Sequence, residues 1–147
     1  SRVYGPTMSP EDSKAIAQFI RKAAAGEDIV LKSEGNQLYS YTYVTDAATA
    51  ALCLLLEGKS GSAVNIADSA SDIRLKDLAS LLAKEVGTKV VFELPDSAEK
   101  AGYSTATKAV LDTTKIEQLG WRAMTPLDQG LRKTVQILRE DINEKKE

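Results

Sequence analysis

Segments with helical spacing alternate along this chain with segments of strand spacing, and the joins between them are short and marked by glycine or proline. No other feature constrains the fold as strongly, because this alternation is the pattern of an α/β domain. Arg2-Val-Tyr-Gly-Pro6 reads as a strand end entering a turn. A domain rarely opens there, so the chain is expected to be a piece of a longer one. Ser9-Pro10-Glu11-Asp12 reads as a helix start, with Ser9 able to cap, proline suited to the first turn and the acids at the positive end of the dipole. Ile16, Phe19, Ile20 and Ala23 then recur at helical spacing, and Gly26 is a natural stop. Residues 28–32 and 38–44 read as a hairpin around 33–36, with Tyr39, Tyr41 and Tyr43 on one face and Ser40 and Thr42 on the other. Thr45-Asp46 is expected to cap an alanine- and leucine-rich helix ending near Gly58. Its apolar residues cover most of the circumference, which predicts burial on several sides.

Further on, 63–66 reads as a short strand, 75–86 as an amphipathic helix stopped by Gly87, and 89–93 as the next strand. Residues 95–109 show no period and read as a loop. Asp112 is placed as the cap of a short helix that Gly120 ends, and Trp121 as a wedge packing the final helices together. Thr125-Pro-Leu-Asp128 opens the last helix, whose apolar stripe is Leu127, Leu131, Val135, Leu138 and Ile142, with Gly130 a local weak point. The whole of 1–147 reads as a single domain, with 139–147 a charged tail expected to fray.

At 147 residues and 43% hydrophobic content the chain can bury a core, and its formal charge of −2 gives it no basic face for a nucleic-acid backbone. No apolar run approaches the ~20 residues that a membrane span needs, and no basic-then-apolar leader opens the chain. Cys53 is the only cysteine and lies in an apolar stretch, so it reads as a small buried hydrophobe of a soluble, cytoplasmic protein. The chain has no His, which removes Ser/His/Asp and Cys/His catalysis and most zinc sites. Asp68, Asp72, Asp77 and Asp128 lack metal-ligand spacing, so no metal is expected. The nine glycines never fall into a phosphate-loop pattern.

The order of these pieces resembles the C-terminal half of the extended short-chain dehydrogenases/reductases that act on nucleotide sugars, a group including UDP-sugar epimerases, UDP-glucuronate decarboxylases and 4,6-dehydratases. Arg2-Val-Tyr-Gly-Pro6 is similar to the segment closing the family's sixth parallel strand, and Lys14 to Ile20 with Gly26 to the helix after it. Gly35-Asn-Gln37 leading to Tyr41-Thr-Tyr-Val-Thr-Asp46 matches the family's hairpin and its YVxD helix start. Val64-Asn65-Ile66 matches its late strand, and Leu119-Gly-Trp121 with Thr125-Pro-Leu-Asp-Gln-Gly-Leu131 its closing signature. The resemblance implies the late strands, hairpin and substrate-binding helices of a Rossmann-like fold. The NAD(P)-binding N-terminal half, with its glycine-rich turn and its catalytic Tyr and Lys one helical turn apart, is absent. No Tyr here is followed four residues later by Lys, so no catalytic residue is assigned and the chain alone is expected to be inactive. The parent is expected to be a homodimer that acts on a nucleotide diphosphate sugar.

The resemblance also names candidate substrate contacts. Arg2 falls where relatives carry an Asn that touches the diphosphate, and an Arg there can grip phosphate bidentately or be an ordinary strand-end charge. Lys14 lies on the helix over the base and phosphates, Gln37 and Tyr39 border the nucleotide, and Lys108 approximates a phosphate- or ribose-binding Arg. Tyr39 departs from the family, which commonly places a diphosphate-binding Arg there, and Arg2 could compensate. Tyr41 and Tyr43 read as packing residues. The rival reading is a stand-alone binding or regulatory module that uses the same fold without catalysis.

Overall fold

The computed structural model describes residues 1–93 and 106–144. Its hub is β3 (Leu38–Tyr43), which three other strands share. β1 (Arg2–Tyr4) runs parallel to its second half, in the register Arg2 with Tyr41 and Tyr4 with Tyr43. β4 (Asp72–Arg74) pairs antiparallel with its first half, and β6 (Lys108–Ala109) runs parallel there, Lys108 opposite Leu38. A second, two-stranded parallel sheet joins β2 (Ile29–Leu31) to β5 (Val90–Phe92). The expected hairpin is therefore absent, because its two arms lie in different sheets. The cause is tertiary: Gly35, at φ +68°, accepts the Lys76 N–H (3.0 Å) and the Gln37 carbonyl accepts the Leu75 N–H (2.9 Å). The turn is docked on the start of a distant helix instead of closing on itself. The stretch 95–109 is strand at its end, and 94–105 lies outside the described residues, as does 145–147.

Among the described residues five α-helices accompany the sheets: α1 (Ala15–Ala25), α2 (Val44–Glu57), α3 (Leu75–Val86), α4 (Thr114–Gln118) and α5 (Leu127–Glu144). α1 begins later than its Ser-Pro signal. Asp12 N–H bonds back to the Ser9 carbonyl (3.0 Å), so 9–12 closes a separate turn, and Asp12 takes the Lys14 N–H at 2.9 Å. Gly26 and Gly87 end α1 and α3 in left-handed conformation, as their sequence positions predict. α1, α3 and α5 pack on one another through Ile16, Phe19, Ile20, Leu78, Leu82 and Leu131, all buried. α2 differs from expectation: only Asp46 and Ala50 are buried, while Leu52, Leu55 and Leu56 are 58%, 78% and 77% exposed. Among the described residues nothing packs over that face. No described helix is long and apolar enough to cross a membrane.

Four other assignments change with tertiary context. Asp46 does not cap α2; its buried carboxylate accepts the N–H groups of Met124 (3.2 Å) and Thr125 (3.0 Å), tying the approach of α5 to α2. Residues 63–66 form no strand, and the Asn65 amide donates to the Asp112 carbonyl (3.1 Å) in place of a ladder. Trp121 packs with Ala50 and Ile116 and donates to Thr49 Oγ1 (3.1 Å), which joins α4 to α2. The stretch 139–147 is helical as far as Glu144, and Arg139 explains why: its guanidinium donates to the carbonyls of Ala23 (3.1 Å) and Ala24 (3.4 Å) at the end of α1. Asp112, one residue ahead of the cap position, accepts the Thr114 N–H (2.8 Å), and Cys53 is half-buried.

Gly130, far from weak, is where α5 meets the sheet. A Cβ there would overlap the Tyr4 hydroxyl and lie 3.1 Å from Tyr43 Cδ2. Tyr4 and Tyr43 pack ring to ring at 5.6 Å, and Tyr4 donates to the Leu127 carbonyl (3.2 Å). Gly130→Ala gains about 1 kcal/mol of helix preference, but the overlap is expected to cost about 1–3 kcal/mol. Urea denaturation should show a net loss that shrinks in a Tyr4→Phe background, and a stabilised Gly130→Ala chain would refute the close-approach account. Asp46→Ala should lower stability by about 1–3 kcal/mol, since two backbone donors lose their acceptor.

Candidate functional site

The β1–β3 pairing sets the geometry of an open cavity of about 560 Å³. In strands the side chains alternate between faces, so Arg2 shares a face with Tyr39 and Tyr41. That face looks toward the first turns of α1 and the end of β2, whose Phe19, Ile16, Val30 and Leu31 give the cavity its apolar wall. The size and this mixture of apolar walls with a few polar groups suit a small organic ligand.

Arg2 pairs in register with Tyr41 and reaches across the diagonal to Tyr39, with Cζ 3.3 Å from the centroid of the Tyr39 ring. A guanidinium stacked flat on an aromatic face keeps its in-plane N–H groups free to point outward. The Arg2 side chain makes no hydrogen bond or ion pair among the described residues, so the donors of the fork are unspent. Tyr39 is 6% exposed, and its hydroxyl donates to the Ala106 carbonyl at 3.1 Å, which fixes the ring under the guanidinium. The residue that replaces the expected arginine is thus the support of another arginine.

Lys14 also lines the cavity, but its ammonium is paired with Asp12 at 3.0 Å and is largely exposed. The hydrogen bonds from the Lys14 backbone and side chain hold the Asp12 carboxyl below the usual carboxylate range. Gln37 lies at the cavity edge, and its Oε1 is buried with no partner among the described residues. Arg2, Lys14, Gln37 and Tyr39 are therefore brought together. Lys108 is not: on β6 it pairs with Leu38, so its side chain belongs to the sheet face opposite Tyr39.

Tyr41, read from sequence as packing, is a cavity residue as well. It is fully buried, yet its hydroxyl has no partner among the described residues. Burial pushes its phenol up to about 12, against the smaller opposing pull of the Arg2 charge, so it is a neutral donor at ordinary pH. The alternation that placed Tyr39 on the face placed Tyr41 there too, whereas Tyr43 packs against Tyr4 outside the cavity.

The stack is directly observable. Ring-current effects should move the Arg2 side-chain protons upfield in NMR spectra of the chain. Tyr39→Phe should keep that shift and Tyr39→Leu should abolish it; Arg2 protons at ordinary positions in the unsubstituted chain would refute the stack.

Comparison with known proteins adds family context to this geometry. Residues 1–67 match the NAD dependent epimerase/dehydratase family. The chain is 29% identical over 97% of its length to a probable GDP-L-fucose synthase 1 of Oryza sativa, covering 44% of that protein. Among solved structures, a UDP-glucose 4-epimerase of Thermotoga maritima with UDP-glucose superposes with a TM-score of 0.81 at 27% identity, over 96% of this chain and 44% of that one. DesIV, a dTDP-glucose 4,6-dehydratase of Streptomyces venezuelae with NAD and TDP bound, shares the fold at a TM-score of 0.80 and 24% identity, over 97% of this chain and 43% of that one. The chain thus spans less than half the length of each of these proteins.

Proposed function

We propose that this chain is the C-terminal, nucleotide-sugar-binding portion of an NAD-dependent epimerase or dehydratase, and that its cavity takes the nucleoside diphosphate of the substrate. The observation that carries this reading is the Arg2–Tyr39 stack in the cavity wall, a preset fork of donors beside an apolar slot. Guanidinium forks match phosphate oxygens in geometry and charge. The similarity to proteins acting on GDP-, UDP- and dTDP-sugars supports a diphosphate ligand and leaves the nucleotide open. Lys14 is exposed enough to exchange Asp12 for a phosphate oxygen.

The residues of this chain do not fit NAD. The join from β1 to α1 contains a single glycine, Gly5, and α1 starts at an extended Lys14, so no glycine-rich turn presents backbone N–H groups to a pyrophosphate. No Tyr/Lys pair has the spacing for proton transfer from a sugar hydroxyl. NAD and the catalytic pair therefore belong to the remainder of the enzyme, and the isolated chain binds substrate without turning it over. The exposed Leu52, Leu55 and Leu56 of α2 support the same division, as a face for that remainder to cover.

Calorimetric titration with UDP, dTDP, GDP and NAD tests the reading. One diphosphate should bind in preference to the others, Arg2→Ala should weaken it about 10- to 100-fold, and NAD should give no signal. NAD binding as tight as that of any diphosphate, or an Arg2→Ala chain that binds normally, would overturn it.

A further inference from the structure

The turn that leads into α1 has no apolar anchor of its own. Met8 packs against the core and Ala15 opens the helix, but between them residues 9–14 are exposed except for the half-buried Asp12. A turn of that kind opens at little cost unless polar contacts hold it. Two side chains of α1 supply such contacts. Gln18 Nε2 donates to the Ser13 carbonyl (2.6 Å), and Arg21 Nη2, from two helical turns beyond Lys14, donates to the Asp12 carbonyl (2.9 Å). The turn is thereby strapped back along the helix that follows it.

Asp12 is where this strap meets the cavity. Its carbonyl takes Arg21, while its carboxylate accepts both the Lys14 N–H (2.9 Å) and the Lys14 ammonium (3.0 Å). Ser13 and Lys14 line the cavity, and Arg21 stands outside that lining. A lysine on a loose turn loses much conformational freedom when it grips an anion, and one already placed by a fixed neighbour loses less. Whatever anchors Asp12 therefore decides where the cation of Lys14 stands.

We propose that Arg21 is a positioning residue for the cavity. It fixes the 9–14 turn through the Asp12 carbonyl, and so holds the Lys14 ammonium at the cavity mouth, from where it passes from Asp12 to an anionic group of the ligand. The inference rests on the diphosphate reading above and adds to it a residue that touches no ligand. When Lys14 leaves, the Arg21 guanidinium stays beside Asp12, so the carboxylate is not left without a cation nearby.

The test compares Arg21→Met, which keeps an unbranched stem without a donor, with Arg21→Lys, which keeps a charged donor. Amide hydrogen exchange without ligand reads the strap. Arg21→Met should speed exchange at the Asp12 and Lys14 N–H groups about fivefold and leave the amides of Leu78 and Leu82 unchanged. Calorimetry with UDP, dTDP and GDP reads the site. Arg21→Met should weaken the preferred diphosphate about two- to fivefold, as Lys14→Ala does, and should have no further effect in a Lys14→Ala chain. Arg21→Lys should restore both the slow exchange and the binding. Faster exchange at Leu78 and Leu82 as well would reveal a general role in stability and overturn the proposal. Equal weakening with and without Lys14, or an Arg21→Lys chain as impaired as Arg21→Met, would overturn it too. If the unsubstituted chain bound none of the three diphosphates, the diphosphate reading itself would fall and this inference with it. Normal exchange and binding in Arg21→Met would overturn this inference alone.

Discussion

The parallel pairing of β1 with the second half of β3 is the contact on which the rest of the arrangement depends. One register, Arg2 beside Tyr41 and Tyr4 beside Tyr43, sets two different neighbourhoods. At the Tyr4 end, the two tyrosine rings press into the notch left by Gly130 and join the sheet to α5. At the Arg2 end, the guanidinium reaches the Tyr39 ring and forms the polar wall of the cavity. A slip of one residue would turn both sets of side chains to the other face. The same ladder thus holds both the core and the site.

The site combines rigidity with unspent hydrogen-bonding capacity. Tyr39 is tethered at its hydroxyl and Tyr41 is buried within the core cluster, so neither ring needs to be ordered when a ligand arrives. Arg2 is already stacked, which lowers the entropy lost on gripping an anion. Against that, Lys14 is shared with Asp12 and long enough to move, the adaptable element beside a fixed one.

Local signals in the sequence translated faithfully where their physics is local. Gly26 and Gly87 stop their helices because the left-handed conformation costs glycine nothing. The stripes of α1, α3 and α5 followed from the 3.6-residue period, since burial needs one apolar face whatever the partner. The hairpin reading failed because Gly35 and Gln37 spend their carbonyls on the start of α3, a contact about forty residues away that no local window contains. Asp46 was misread for the same reason: a carboxylate at a helix start looks like a cap until a distant loop brings two N–H groups to it.

The candidate site divides along the same line. Residue types and their alternation were enough to put Tyr39, Tyr41 and Tyr43 on one strand face, and the resemblance to mark Tyr39 as the departure from its relatives, because period and chemistry are written residue by residue. Whether Arg2 would stand alone, pair with an acid or lie on Tyr39 depended on strand register, and register is decided by the packing of the whole sheet against α1 and α5. Lys108 was set on the face away from Tyr39 by its alignment with Leu38, and Tyr41 was brought to the cavity wall by its register beside Arg2. The sequence by itself determined which chemistry each position carries and where the main helices run. Only the tertiary structure decided which of those groups meet, because meeting is a property of pairs far apart in the chain.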